Sequence, residues 1–422
     1  RCETTMASKV LVFLTWAVAA GHDLKSGKIR RQLLGSLKPE APSGHLGTDA
    51  SNLQTQTRSF TSLTTEYPFY HSTDEIAEQA RGIAEKCAST ATVSTVNESG
   101  VSLDIVKVSS ASSTPRNKVF AIFGEHSREL IGPETGLQLL AELCRADKSE
   151  QAKAALQDSE FALLLNGNPR SRRKVEGGDY CVRTNPDGVD LNRNWDEAWQ
   201  KDSAVYGQDS NPGPKPFSEP ETRLIRAAVS EYDPTTFLTV HSGTLGLYMP
   251  WAYDMSHLAD RNQQQMMSVL KSLDEKHCRC PFGAAGKEVG YSCPGTSLDW
   301  VYDKLKTPFS FAFEIFVASE RMESLRERWH RHSDHALALL QAGHHLASPH
   351  TKHVFQAHPS DFVQVSANLT DRSERDCFGM YNPSNEELYR STVSNWVTAY
   401  MEMAVKVADS LKDDGAHRKR SD

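Results

Sequence analysis

The sequence contains no apolar run long enough to cross a lipid bilayer, which takes about 20 residues. It also has no long basic segment interleaved with aromatic residues, and its formal net charge is -7 at pH 7. These absences argue against a membrane-spanning protein and against nucleic acid as a partner. The rest is ordinary for a globular protein: 38% apolar and 24% charged residues in a chain of 422, enough for one large domain with extensions or two modest ones.

The N-terminal residues have the pattern of a secretory signal. Met6 and Lys9 precede a short apolar run at residues 10–20, and small residues lie near its end. We therefore expect a leader over residues 1–21, starting at Met6, and a protein that is secreted or delivered to a vacuole or lysosome. A buried N-terminal helix is the alternative. Residues 22–66 are rich in Ser, Thr, Gly and Lys without periodicity, which indicates a linker or short pro-segment.

The cysteines fit a secretory route, because disulfides form and persist in that compartment. Cys2 precedes Met6, and without it the number of cysteines is odd, so at least one thiol stays unpaired or pairs with another chain. The sequence does not determine which cysteines pair with each other. We expect the protein to be a monomer. The other cysteines are Cys87, Cys144, Cys181, Cys278, Cys280, Cys293 and Cys377.

Strand-like apolar runs alternate with helical periodicity from about residue 67 onwards. The strand-like runs lie at residues 102–108, 118–123, 161–165, 237–240 and 309–315. Such alternation predicts an α/β fold with a mostly parallel sheet covered on both faces. In these sheets ligands bind beyond the carboxyl ends of strands, and His126 and His241 each stand just past such an end.

The main domain is predicted to span residues 67–412. Within it, residues 320–375 contain half of the 16 histidines and have the character of an insertion. We interpret this insertion as solvated surface rather than a second metal site, because no cysteine or paired carboxylate accompanies the histidines at regular spacing. Residues 386–411 have the period of a long amphipathic final helix, and residues 413–422 are predicted to be a loose tail.

The stretch FGEHSREL, residues 123–130, places His126 and Glu129 three residues apart, directly after an apolar run. This spacing brings an imidazole and a carboxylate to the same side of one turn, about 5–6 Å apart at Cβ. Both side chains could then bind one metal ion. A strand end followed by a solvated turn is the alternative, and the pair alone does not decide between them.

Four further segments follow in order: GVDLNRNW (188–195), TVHSG (239–243), GTSLDW (295–300) and SFAFEIF (310–316). Together with FGEHSREL they resemble the zinc carboxypeptidases of the pancreatic type, the M14 metallopeptidases, over roughly residues 67–411. The resemblance implies a mixed, mostly parallel eight-stranded sheet with helices on both faces. Two later segments, NPGPKPFSEPE and DCFGMYNPS, look closer to plant and protist secreted members than to the pancreatic enzymes.

The resemblance implies one catalytic Zn²⁺ ion held by His126, Glu129 and His241. Two nitrogens and a carboxylate form a suitable set for a catalytic zinc, which keeps a fourth position for water or substrate. Asp190 is where the family carries a carboxylate that orients the first zinc histidine. An ordinary turn aspartate is the alternative for Asp190.

Two residues are expected to act in catalysis. Glu314 lies in an apolar run, where a carboxylate is costly to bury without a task. The resemblance makes it the general base, and a buried ion pair is the alternative. To stabilise the oxyanion, the family uses an arginine that follows an Asn-Pro-Asp/Asn-Gly motif. In this sequence the corresponding segment is NGNPRSRRKVEGG, in which only the Asn-Pro part of the motif is present. Counting from Pro169 makes Arg172 the candidate, with Arg173 as the alternative.

Three kinds of contact to the substrate follow from the same resemblance. Asn192 and Arg193 match the pair that binds the terminal carboxylate, and a guanidinium suits this task because it donates to both oxygens. Tyr291 falls where the family has a mobile tyrosine that closes over the substrate. Leu298 matches the pocket floor, and an apolar floor favours aliphatic or aromatic terminal side chains. A shift of one residue to Asp299 would reverse this preference.

The sequence therefore predicts a zinc-dependent metallocarboxypeptidase that hydrolyses the C-terminal peptide bond of peptides or proteins. A deglutamylase or amidase relative is one alternative, and a basic residue in the pocket would be its sign. A catalytically silent member that only binds peptides is another. Silent members usually lose a zinc ligand or the base, and none is missing here.

Overall fold

The computed structural model describes residues 62–87, 89–110, 114–201, 210–318 and 374–421. The predicted leader, most of the predicted linker and nearly all of the histidine-rich insertion lie outside these ranges. Every candidate site residue lies within them.

One mixed sheet of eight strands organises the described residues. The strands are β1 (Ala91–Glu98), β2 (Val101–Val108), β3 (Asn117–Phe123), β4 (Ser159–Leu164), β5 (Thr236–His241), β6 (Thr244–Met249), β7 (Phe282–Ala284) and β8 (Phe309–Phe316). Their order across the sheet is β1-β2-β4-β3-β5-β8-β6-β7. Strands β4, β3, β5 and β8 are parallel, antiparallel β2 and β6 flank them, and β1 and β7 form the edges.

Helices pack on both faces of this sheet. In the described ranges they are α1 (Leu63–Glu66), α2 (Thr73–Lys86), α3 (Ile131–Leu143), α4 (Glu150–Asp158), α5 (Pro169–Glu176), α6 (Pro220–Tyr232), α7 (Gln263–Leu273), α8 (Ala285–Val289), α9 (Ser297–Lys304), α10 (Glu374–Tyr381) and α11 (Glu386–Ser421). Helices α3 and α11 contribute to the core on one face, and α6 and α9 to the core on the other.

Strand β3 shows why its sequence is continuously apolar. Val119, Ala121 and Phe123 belong to one core, whereas Phe120 and Ile122 belong to the other. Successive side chains of a strand point to opposite faces, so a strand covered on both sides buries all of them. The predicted α/β fold with an eight-stranded mixed sheet is confirmed.

Two helix ends can be compared with the sequence. Helix α2 begins with a capping box, in which the Ser72 hydroxyl accepts from the Glu75 amide and the Glu75 carboxylate accepts from the Ser72 amide. Helix α11 continues to Ser421, whereas the sequence analysis predicted that the final helix ends at residue 411 and a loose tail begins at residue 413.

Three disulfides join described cysteines: Cys87–Cys144, Cys181–Cys377 and Cys278–Cys280. The second bond links α10 to the segment between α5 and the 3₁₀ turn Leu191–Arg193. Cys293 is buried and forms no disulfide with a described cysteine, as the odd count predicts.

Candidate active site

The candidate site lies where strands β3 and β5 end. These neighbouring strands are parallel, and Phe123 pairs with Val240, so the residues that follow emerge at the same edge of the sheet. Gly124 turns the chain out of β3 with a φ of 71°, and an added Cβ would lie 2.9 Å from the Pro133 side chain. His126 follows this turn, and His241 is the last residue of β5.

His126, Glu129 and His241, which we call the triad, converge on one point. His126 Nδ1 lies 2.6 Å from Glu129 Oε1 and 3.1 Å from His241 Nδ1. His241 Nδ1 lies 3.1 Å from Glu129 Oε2. All three side chains are buried, and one ligand atom from each lies within 4.8 Å of the others.

The donor atoms of the triad fit a zinc ion. Two imidazole nitrogens and one carboxylate face each other, which is a common ligand set of catalytic zinc. The Nε2 atom of His126 lies 3.1 Å from Asp190 Oδ1, so its proton has an acceptor and Nδ1 remains available as a ligand. The structure thus brings Asp190 to the position that the sequence analysis gave it.

Asp190 is fully buried between the triad and an arginine. Its Oδ2 accepts from Arg183 Nε at 2.9 Å, and its Oδ1 accepts from the Asn192 amide at 2.9 Å. Burial alone would raise the pKa of Asp190, but the charges of Arg183 and His126 hold it well below its usual value. The carboxylate is therefore ionised and able to accept the proton of His126.

Arg172, predicted as the oxyanion-stabilising residue, belongs to a different cluster. Its guanidinium lies 3.6 Å from Glu134 Oε1 and 3.2 Å from Glu176 Oε1, and it donates to the His71 carbonyl at 2.9 Å. The alternative, Arg173, pairs with Asp74 on the surface. Helix α5 thus directs both arginines to partners outside the triad, and we revise this prediction.

Arg183 is the arginine that the structure brings to the triad. Its NH1 lies 3.6 Å from Glu129 Oε1, and its Nε is fixed by Asp190. The sequence analysis missed it because the count started from Pro169. Arg183 precedes Asn185-Pro186-Asp187-Gly188, whereas the family arginine follows such a motif, so a count from either copy points away from Arg183.

Glu314 lies beside the triad on β8. It pairs in register with His241 across the parallel β5–β8 ladder, and its Oε2 has no hydrogen-bond partner among the described residues. Burial and the neighbouring charge of Glu129 raise the pKa of Glu314 to about 8. A carboxylate with these properties can exchange a proton near neutral pH.

The two residues predicted to bind a terminal carboxylate lie in the 3₁₀ turn. Asn192 Nδ2 is 3.1 Å from His241 Nε2, and its amide oxygen accepts from the Ser297 amide at 3.0 Å. Arg193 is buried, and a Cβ on Gly295 would lie 2.3 Å from the Arg193 carbonyl oxygen. Only glycine therefore lets the loop before α9 approach this turn so closely.

Tyr291 lies in the loop between α8 and α9 and is 47% exposed. The pKa of Tyr291 is raised, first by Cys293 and by burial, with a further contribution from Glu314, whereas Arg193 opposes the rise. Glu314 and Arg193 are thus electrostatic neighbours of the phenol.

Leu298 belongs to a small apolar cluster that is separate from the two cores. We call this group, together with Val289 and Ala312 that pack against it, the pocket cluster. Its buried members are Tyr248, Ala252, Ala285, Cys293 and Leu298.

The Asp299 carboxylate is engaged by backbone amides next to this cluster. It accepts from the backbone amides of Ala252 and Tyr253 at 2.9 and 3.0 Å. Leu298 packs in the pocket cluster, whereas the charge of Asp299 is held by these two amides.

Glu125 is a second residue that the sequence analysis missed. Its Oε2 accepts from the hydroxyls of Thr239 at 2.5 Å and Ser297 at 3.2 Å, and lies 3.4 Å from His241 Nε2. An acidic residue directly after a buried strand and Gly124 was the signal in the sequence.

This combination of a buried His-Glu-His set and a neighbouring carboxylate at the edge of a mixed sheet defines a metallohydrolase. The model of the zinc carboxypeptidase family, Peptidase M14, matches residues 76–324, and the chain belongs to this family. It is accordingly a metallocarboxypeptidase, a hydrolase of peptide bonds.

Individual relatives are distant. Carboxypeptidase O of Bos taurus is 26% identical over 276 residues, which cover 60% of this chain and 72% of the relative. Carboxypeptidase A1 of Mus musculus is 25% identical over 309 residues, covering 65% and 71%. These relatives are animal carboxypeptidases, so the predicted closeness to plant and protist members is not supported.

A solved structure of thrombin activatable fibrinolysis inhibitor is similar in fold. Its TM-score is 0.61 at 19% identity, over 81% of this chain and 75% of that one. At this identity the likeness supports the fold alone. Within the described part of the chain, no helix is both long and apolar enough to cross a membrane.

Proposed function

We propose that this protein is a zinc-dependent carboxypeptidase that binds one catalytic Zn²⁺ ion and removes apolar residues from the C-termini of peptides. Residues 67–412 would form its catalytic domain. The observation that carries the proposal is the convergence of His126, Glu129 and His241 beside Glu314 at one edge of the sheet. When bound, zinc would polarise the scissile carbonyl and lower the pKa of a water molecule.

Glu314 is the general base in this proposal. Its Oε2 has no hydrogen-bond partner among the described residues, so it can accept a proton from the attacking water. Burial and the charge of Glu129 raise the pKa of Glu314 and a bound cation would lower it, so the same carboxyl group can take the proton and pass it to the leaving amine.

Arg183 is proposed to stabilise the negative charge that develops on the carbonyl oxygen. Its guanidinium lies next to Glu129 and is held in place by Asp190, so it needs little reorganisation during the reaction. Arg172 has no comparable position, because Glu134 and Glu176 engage it.

Recognition of a free C-terminus is assigned to the 3₁₀ turn. Arg193 would pair with the terminal carboxylate and Asn192 would donate a hydrogen bond to it. A guanidinium and an amide suit this task because both donate hydrogen bonds to carboxylate oxygens. Tyr291, with its exposed ring, would close over the bound substrate.

The preference for apolar terminal residues is proposed from the pocket cluster. Leu298, Cys293 and Ala252 offer apolar surface, and the Asp299 carboxylate is engaged by backbone amides. An unpaired cationic side chain would be costly to bury there. Leu298, at the position that matches the pocket floor, is not basic, which disfavours a deglutamylase or amidase activity. The presence of the complete triad and Glu314 disfavours a silent peptide-binding member.

The apolar N-terminal run and the three disulfides support a secretory route, with secretion or a vacuole or lysosome as the destination. We propose that the protein acts as a monomer on peptide or protein C-termini.

The function can be tested with the purified full chain and pairs of peptides that differ only in a free or amidated C-terminus. We expect loss of single residues from free peptides, detected by mass spectrometry, because the amide removes the carboxylate that Arg193 would bind. A zinc chelator should abolish this release and added Zn²⁺ should restore it. Equal cleavage of amidated peptides, or activity that resists the chelator, would contradict the proposal.

Glu314→Gln should retain zinc and substrate binding but lower kcat by about a hundred- to ten-thousand-fold, because the amide cannot accept the proton. Zinc content and inhibitor affinity would be measured beside kcat. Glu142→Gln, at the far end of α3, serves as a control and should keep wild-type activity. Near-normal turnover in the Glu314 variant would remove it as the base.

Arg183→Ala should lower kcat/KM by about a hundred- to thousand-fold through loss of oxyanion stabilisation. The zinc content must be measured in parallel, since Arg183 also contacts Asp190. The matched control is Arg173→Ala, which removes a surface arginine and should change little. Wild-type kcat/KM in the Arg183 variant would reject this role.

Leu298→Asp should shift the preference from apolar to basic terminal residues by about tenfold or more in the ratio of kcat/KM values, because the new carboxylate would pair with a cationic side chain. The ratio would be measured with peptides ending in Leu, Phe, Lys and Arg. Leu258→Asp, on the surface outside the pocket cluster, is the control. An unchanged ratio would show that Leu298 does not line the pocket.

A further inference from the structure

Glu125 is a buried carboxylate that the proposed mechanism does not use. Glu125 is 1% exposed. It faces Nε2 of His241, whereas Glu129 faces Nδ1 on the other side of the ring. Burial of a carboxylate is costly unless charges or hydrogen bonds compensate it. Its Oε1 has no hydrogen-bond partner among the described residues, so compensation must come through Oε2.

The Thr239 hydroxyl connects Glu125 to His241. An ionised carboxylate can only accept hydrogen bonds, so Thr239 Oγ1, at 2.5 Å, must donate its single proton to Glu125 Oε2. The hydroxyl oxygen can then accept from His241 Nε2, which lies 2.9 Å away. Thr239 and Glu125 favour a proton on Nε2, which leaves Nδ1 of His241 for the metal; Asn192 Nδ2, 3.1 Å from Nε2, can donate no hydrogen bond to it in this tautomer.

The two histidines of the triad each have a carboxylate near Nε2, and these two carboxylates differ in their own partners. Asp190, behind His126, is already neutralised by Arg183 at 2.9 Å. Glu125, behind His241, forms no ion pair with a lysine or arginine in the described ranges, and its partners at Oε2 are two hydroxyls and the imidazole. A divalent cation held by His241 would add a positive charge on the other side of the imidazole that faces Glu125.

We propose that Glu125 is a positioning residue of the metal site, which holds His241 in its ligating form through Thr239 and raises the affinity for a divalent cation. The inference rests on the proposed zinc site. It makes Glu125 a contributor to metal retention and not a group that touches the substrate. Partners of this kind typically change metal affinity by about 10- to 100-fold.

The first test is the zinc affinity of Glu125→Gln in the full chain, measured by competition with a chromophoric chelator. We expect a Kd about 10- to 100-fold weaker than that of the wild type. Glu134→Gln is the matched control, because Glu134 is also a buried glutamate but pairs with His71 and Arg172 outside the triad. Its zinc affinity should equal that of the wild type.

Thermal unfolding with and without zinc separates this role from a purely structural one. Without metal, Glu125→Gln should unfold at the same temperature as the wild type or slightly lower, since the amide weakens the contacts that Glu125 Oε2 makes with Thr239, Ser297 and His241. Its rise in Tm on adding zinc should be smaller. An unchanged zinc Kd together with an unchanged rise in Tm on adding zinc would overturn the inference.

Thr239 provides a second test that leaves Glu125 in place. Thr239→Val keeps the shape but removes the hydroxyl, so it should weaken zinc binding, whereas Thr239→Ser should bind like the wild type. If Glu125→Gln fails to fold, this pair decides, and equal Kd values for Val and Ser would reject the relay. A wild-type protein that binds no zinc would instead reject the proposed function itself.

Discussion

The active site depends on the pairing of β5 with its two parallel neighbours, β3 and β8. The β3–β5 register sets Phe123 opposite Val240, and the β5–β8 register sets His241 opposite Glu314. Two ladders of backbone hydrogen bonds therefore fix groups from three distant parts of the sequence. A slip of one residue would turn His241 to the other face of the sheet. The strand register that buries the apolar side chains of the sheet therefore also brings the proposed catalytic groups together.

The site concentrates buried carboxylates on a scaffold that supplies few cations. Arg183 is shared between Asp190 and Glu129. In the described ranges Glu125 and Glu314 have no lysine or arginine at ion-pair distance. Charges in a low-dielectric interior interact strongly, so this imbalance is unfavourable unless a cation joins the triad. Metal binding and the stability of the site are therefore coupled by electrostatics as well as by coordination.

The sequence predicted the features that depend on short spacing or on a buried apolar run. His126 and Glu129 were found from one turn, and Glu314 from a charge inside a strand. Arg183 and Glu125 were missed because their roles depend on where loops and neighbouring strands bring them. Arg172 was preferred because a count along the chain cannot tell which way a helix faces, and α5 directs it towards Glu134. Leu298 and Asp299 illustrate the same limit, since adjacent helical residues point in directions that only packing distinguishes.

The arrangement of the site also separates chemistry from specificity. The triad and Glu314 stand on or directly after central strands, whose side chains belong to the two large cores. The pocket cluster, by contrast, is small and joins Tyr248 of β6 and Ala312 of β8 to residues of α8, the loop that carries Cys293 and the start of α9. Because its helix and loop members lie outside the main cores, they can change with little cost to the sheet. Relatives with one catalytic centre can therefore differ in the terminal residue they accept, and Leu298 is expected to tolerate substitutions that His241 cannot.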